Sequence, residues 1–142
     1  MTNRPTVLIT GASTGIGAVY AERFAQRGHN LVLVARDLSR LEALAATLRD
    51  QHSVAIDVLQ ADLTQLSDLQ TVEARLRDDA SIGILINNAG AAQSGTFIEQ
   101  STDSVAQLVA LNTTALVRLA SAIAPRLAQT NKGAIINISS VV

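Results

Sequence analysis

Five short runs rich in leucine and β-branched residues punctuate the chain: TVLIT (6–10), LVLVA (31–35), VAIDVLQ (54–60), IGILI (82–86) and AIINI (134–138). The shorter ones are almost wholly apolar, as strands must be when helices cover both faces of their sheet. Segments of helical period separate them. The first, about 15–27, carries Ile16, Val19, Tyr20 and Phe24 on one stripe and is ended by Gly28. A second, about 39–50, starts at the potential cap Ser39 and buries Leu41, Leu44, Ala45 and Leu48. A third, about 67–79, turns Leu69, Val72 and Leu76 inward. The longest runs from the Ser101/Thr102 cap region to about Ala128, with Val105, Leu108, Asn112, Leu116, Leu119 and Ile123 on its stripe and Pro125 as an expected kink or break. Strands and helices alternating at this spacing imply parallel strands joined by right-handed crossovers. The expected fold is therefore α/β, a doubly wound parallel sheet of the Rossmann type in three αβα layers. No repeat, low-complexity tract or linker divides the 142 residues, which read as a single domain or part of one.

Charge and composition narrow the function. Eleven Lys and Arg against 12 Asp and Glu give a net charge of −1 without a basic run, which argues against nucleic-acid and anionic-membrane partners. The absence of cysteine excludes disulfides and thiolate metal sites and fits a reducing cytoplasm. His29 and His52 fall in connections without a partner at ligand spacing, so both are expected at the surface and no metal site is expected. No amino-terminal signal pattern appears, and no apolar stretch nears the roughly 18 residues needed to span a bilayer. The expectation is a soluble, cytoplasmic protein.

In a sheet of this kind ligands bind outside the carboxyl ends of the strands, so the residues just past each strand are informative. The first opens into TGASTGIG, with Gly11, Gly15 and Gly17 leading directly into a helix. Glycine at the strand exit permits a tight turn, glycine at the helix start lets a pyrophosphate approach backbone N–H groups, and a third allows close helix packing. The spacing G-x-x-x-G-x-G is a variant of the usual dinucleotide fingerprint. The second strand ends in ARD, where Arg36 answers the 2′-phosphate of NADP and Asp37 reverses the preference toward NAD if it, not Arg36, faces the ribose. The third leads to ADLT, in which Asp62 is either an acceptor for the adenine amino group or a turn and cap residue. The fourth leads to NNAG (87–90), small enough for close backbone approach and also a common turn composition. Asn112, an amide on an apolar stripe, is expected to make specific hydrogen bonds, in either a structural or a functional role.

The glycine loop, NNAG, Asn112 and NISS (137–140), all in register, resemble the short-chain dehydrogenase/reductase family, from Thr6 onward. The resemblance implies that Gly11, Ser13, Thr14, Gly15, Ile16 and Gly17 hold the cofactor's phosphates and adenosine ribose, with Ser13 and Arg36 bracketing the 2′-phosphate. Asp62 and Leu63 would frame the adenine; Asn88, Ala89 and Gly90 would line the adenosine and ribose channel. Ser140, the second serine of its pair, would polarise a substrate carbonyl and Asn112 would support a proton relay. The implied activity is hydride transfer between NADP(H) and a carbonyl/alcohol substrate, in a homo-oligomer, dimer or tetramer, built partly on the long fourth helix. The family also uses a Tyr-x-x-x-Lys pair. The chain's single tyrosine, Tyr20, and single lysine, Lys132, do not form one. The expectation is thus a cofactor-binding part, cut after its fifth strand and inactive alone; the alternative is a catalytically silent dinucleotide-binding or interaction module.

Overall fold

The computed structural model describes residues 3–140. Five strands, β1 (Thr6–Thr10), β2 (Leu31–Ala35), β3 (Ile56–Gln60), β4 (Ile82–Asn87) and β5 (Ala134–Asn137), form a parallel sheet in the order β3-β2-β1-β4-β5. The chain winds outward from β1 to β3, then crosses back to add β4 and β5 on the other side. The reversal between β1 and β4 opens a crevice at the carboxyl ends of those two strands.

Alternating side chains of the central strands feed two cores. Leu8, Val32, Val34 and Leu85 pack on one face against Leu69, Val72 and Leu76 of α3 (Leu66–Asp78) and Ala115, Leu119 and Ile123 of the last helix. Val7, Ile9, Leu31, Leu33 and Ile86 pack on the other against Ala21 and Ala25 of α1 (Gly15–Gln26) and Leu41, Ala45 and Leu48 of α2 (Leu38–His52). The three-layer α/β architecture is the expected one.

Three local expectations are corrected. In α1 the stripe is split: Ile16 and Val19 are 57% and 55% exposed, Tyr20 and Phe24 pack partly buried against the core, and Gly17, Ala21 and Ala25 face the sheet. Small residues take the central positions because a glycine and alanines let the helix lie close to the strands. In α2 the cap is Asp37, whose Oδ1 accepts from Arg40 N at 3.0 Å, rather than Ser39. The long helix is not broken at Pro125. It runs as α4 (Thr102–Val109), a π-helical segment (Ala110–Thr114) and α5 (Ala115–Thr130), with Pro125 inside α5. Pro125 and Ser121 both lie on the exposed face, where the carbonyl freed four residues before the proline meets water. The irregularity falls instead around Asn112, and the wider turn puts Ala115 rather than Leu116 on the sheet and leaves Asn112 exposed.

This 29-residue helical run, Thr102–Thr130, also contains an 18-residue window of mean hydropathy 1.4, apolar enough by length and composition to cross a bilayer, contrary to the sequence expectation. Its inward face packs on the sheet and α3 through Ala115, Leu119 and Ile123, while Arg118 forks onto the buried Glu73 of α3 with contacts of 2.6 and 3.0 Å. Glu73 thereby holds the Arg118 guanidinium above its ordinary pKa. The two histidines are half-buried rather than superficial: His29 Nδ1 lies 2.7 Å from Pro5 O and its ring stands edge-on to Phe24.

The turn into β4 makes stability acid-sensitive. Asp79 accepts from Ser81 Oγ at 2.6 Å, Ser81 N at 3.0 Å and Arg75 Nε at 2.8 Å, and its pKa is lowered, chiefly by the Ser81 hydroxyl. A carboxyl depressed in the native state stabilises fully above its unfolded pKa, near about 4, and loses that contribution as pH falls toward the native value. Melting temperature measured from pH 7 down to pH 2 should therefore fall less steeply in Asp79→Asn than in the wild type below about pH 5. Parallel curves would remove Asp79 from the acid response.

Candidate cofactor site

Every strand of a parallel sheet ends on the same side, and the loops after β1, β2, β3 and β4 close there around a cleft of about 780 Å³. That size lies within the range of ligand cavities, roughly 300–1,000 Å³. The cleft floor is the glycine loop. Gly11 and Gly15 hold φ of +62° and +55°, a region that strains other side chains. At Gly15 the space a Cβ would point into is empty. At Gly17 the opposite holds: a Cβ there would overlap the Gly11 carbonyl oxygen and come within 2.5 Å of Asn88 Nδ2. Gly17 is thus the packing glycine that seats α1 on the strand, and Gly15 is the approach glycine.

The first turn of α1 has no acidic residue, and its N-cap Thr14 makes no side-chain capping bond. Backbone N–H groups at this end, with the helix dipole behind them, are suited to an anion. The opposite lip is built from the NNAG segment. Asn88 Nδ2 donates to Thr10 O at 3.2 Å and Gly11 O at 3.1 Å, while the N–H groups of Asn88 and Ala89 both donate to Thr10 Oγ1 at 3.0 Å. Asn87 turns to the other face, donating to Asn137 Oδ1 at 3.1 Å across the β4–β5 pair.

Gly11, Ser13, Thr14, Gly15, Ile16, Arg36, Asp62, Leu63, Asn88, Ala89 and Gly90 all line the cleft. Asp62 borders the cleft, and its Oδ1 accepts from Thr64 N at 3.0 Å and Thr64 Oγ1 at 2.7 Å in a turn, the second of its two readings. Gly17 lies behind the wall. Asn112 and Ser140 do not line the cleft. Ser140 is exposed beyond the carboxyl end of β5, on the rim that β5 shares with the other strands. Asn112 Oδ1 accepts from Ala91 N at 2.9 Å and its Nδ2 donates to Ala91 O at 2.8 Å, so its amide ties the π-helical segment to the loop after β4.

Lining residues not expected from the sequence are Val34, Ala35, Ala61 and Leu111, which complete the apolar walls, Thr64, whose hydroxyl is bonded to Asp62, and Arg40, which joins Arg36 and Asp37 at one end. The available signal was spacing: Arg40 lies in the first turn of a helix that begins at the tip of β2. Among the described residues no group of His, Cys, Asp and Glu is arranged for a metal. An anion-ready helix start, a glycine with room above it, an arginine at the ribose end and apolar walls for a flat base together suit a phosphorylated dinucleotide.

A family model described as short chain dehydrogenase matches residues 5–142. The chain is 65% identical to the bulky-bulky ketone specific alcohol dehydrogenase from Comamonas testosteroni, with a TM-score of 0.97 over 99% of this chain and 56% of that one. It is 67% identical to a short-chain dehydrogenase from Sphingobium yanoikuyae solved in complex with NADPH, with a TM-score of 0.95 over 96% of this chain and 54% of that one. It is also 30% identical over 135 residues to the human inactive hydroxysteroid dehydrogenase-like protein 1, covering 94% of this chain and 41% of the relative. The chain thus spans about half the length of these relatives.

Proposed function

The chain belongs to the short-chain dehydrogenase family, and on that premise we propose that it is the cofactor-binding part of an NADP(H)-dependent oxidoreductase acting on a carbonyl/alcohol substrate. The observation that carries this reading is the meeting, on one rim, of the glycine loop and Arg36 around a single cleft. Ser13, Thr14, Gly15 and Ile16 hold the phosphates; Arg36 takes the 2′-phosphate; Asp62 and Leu63 border the adenine; Asn88, Ala89 and Gly90 line the ribose channel. Bound there, the nicotinamide supplies or accepts the hydride. Ser140, on the same rim, polarises the substrate carbonyl and steadies charge on its oxygen. Asn112 is a positioning residue in this scheme, because its side-chain amide is committed to Ala91. The likeness to a ketone specific alcohol dehydrogenase supports a ketone as the substrate class. The reading includes a cytoplasmic setting and self-association through α4 and α5, whose Val109 and Val117 are 52% and 57% exposed.

The silent-module reading has its own support. One of the relatives is named as inactive. Titrating NADPH and NADH by nicotinamide fluorescence, with ketone turnover measured in parallel on the full-length protein, separates the two. Dinucleotide binding is expected in both cases; turnover supports the oxidoreductase, and tight binding without turnover supports the silent module. Arg36→Ala should weaken NADPH by about tenfold or more while leaving NADH within about twofold, since a charge-assisted bond to phosphate contributes on the order of 1.5–3 kcal/mol. Equal losses for both cofactors would remove the NADP assignment.

A further inference from the structure

Asp37 is the residue that argues against a phosphate at the ribose end of the cleft. A carboxylate at the tip of β2 is placed to accept both hydroxyls of an unphosphorylated ribose and to repel a 2′-phosphate. It borders the cleft beside Arg36. Its two oxygens, however, are turned onto the first turn of α2: Oδ1 accepts from Arg40 N at 3.0 Å, and Oδ2 lies 3.4 Å from Arg40 Nε. Arg40 itself lines the cleft, so the pair forms part of the wall. Arg36 is anchored independently, its carbonyl accepting from Gln60 Nε2 of β3 at 3.0 Å. The other charge in the lining, Asp62, belongs to the loop after β3 and has one oxygen held by Thr64.

Resting on the NADP reading above, we propose that Arg40 determines cofactor specificity through Asp37: it holds and neutralises that carboxylate, leaving Arg36 as the uncompensated charge that selects NADPH over NADH. Helix geometry makes the arrangement local. Asp37 is the N-cap and Arg40 sits three residues on, above it on the same face. The helix N-terminus and the guanidinium both attract the carboxylate, and at Asp37 they do so at a single point. The pair is exposed, with side chains 49% and 64% accessible, and as a surface ion pair adds little to stability. Its effect is on which anion the neighbouring cleft accepts.

The test is the ratio of NADPH to NADH affinity, by fluorescence titration, in the wild type, Arg40→Ala, Asp37→Asn/Arg40→Ala and Arg36→Ala. Asparagine caps helices as well as aspartate, so the double variant keeps the α2 cap, checked by melting temperature. Arg40→Ala should lower the ratio by about tenfold or more, with NADH bound as well as before or more tightly, and adding Asp37→Asn should bring it back to within about threefold of the wild type. An unchanged ratio in Arg40→Ala overturns the proposal. So does a double variant that stays as low as Arg40→Ala, because Arg40 would then act on the phosphate directly rather than through Asp37. A wild type without NADPH preference, or an Arg36→Ala variant that loses both cofactors equally, instead overturns the cofactor reading beneath it, and the two failures are told apart by those controls.

Discussion

Gly17→Ala should cost the protein both stability and its dinucleotide, although it adds one methyl group. The added Cβ overlaps the Gly11 carbonyl oxygen and lies 2.5 Å from Asn88 Nδ2. Neither neighbour is a free side-chain end: one is backbone, and the other is an amide bonded to Thr10 O and Gly11 O. The methyl group is accommodated only by lifting α1 from β1 or by moving the glycine loop away from Asn88. Overpacking of a fitted contact typically costs 1–3 kcal/mol, and a collision with backbone belongs at or above about 3 kcal/mol. For a domain of this size that corresponds to a fall in melting temperature of roughly 6–12 °C. NADPH affinity should fall by about tenfold or more, because the amides proposed to receive the phosphates ride on the same loop. Differential scanning fluorimetry with and without NADPH reads both effects. A variant that melts and binds like the wild type would mean that the close approach of helix and strand is not what shapes the loop.

Thr10→Val is expected to do comparable damage from the other side of the cleft, while keeping the shape of the residue. Thr10 is 1% exposed, and its hydroxyl accepts the N–H groups of Asn88 and Ala89 while donating to Ile86 O at 3.4 Å. The longest of these contacts matters least. Removing the oxygen leaves two backbone donors without their acceptor in a half-buried turn, at about 1–3 kcal/mol each, so a loss of about 2–6 kcal/mol is expected. Thr10→Ser keeps the acceptor and should retain most of the stability. Chemical denaturation of the two variants makes the comparison, and equal stability of Val and Ser would remove the hydroxyl from the account. A fall in NADPH affinity should accompany the valine variant alone, since the NNAG lip would no longer be fastened to the strand that carries the glycine loop.

The strand and helix positions followed from the chain itself. The five apolar runs and the periodic segments between them are local patterns, and parallel strands with right-handed crossovers leave few ways to connect them. The glycine loop was legible for the same reason, since strand, turn and helix start are contiguous residues with fixed geometric demands. What the pattern misread were the contacts that close over a distance. α1 displays the periodicity of a helix that buries Ile16 and Val19, yet the requirement that Gly17 meet Gly11 rotates those two side chains outward. The long helix shows a proline at 125 and an amide at 112, and only packing decides that the first is tolerated at the surface while the second marks a π-helical turn fastened to Ala91.

The ribose end of the cleft separates the two kinds of information most clearly. Composition and spacing place Arg36 and Asp37 side by side after β2 and leave open which of them governs the ligand. In the structure Asp37 is the N-cap of α2 and turns its two carboxylate oxygens onto Arg40, while both residues border the same cleft as Arg36. The sequence alone determined the order of elements, the rim on which their special residues emerge and the chemistry available there, because each is a property of neighbouring residues. Tertiary structure decided which of those residues are free to act, because hydrogen bonds made across the fold, such as those of Asn88 and Asn112, commit some polar atoms and leave others open.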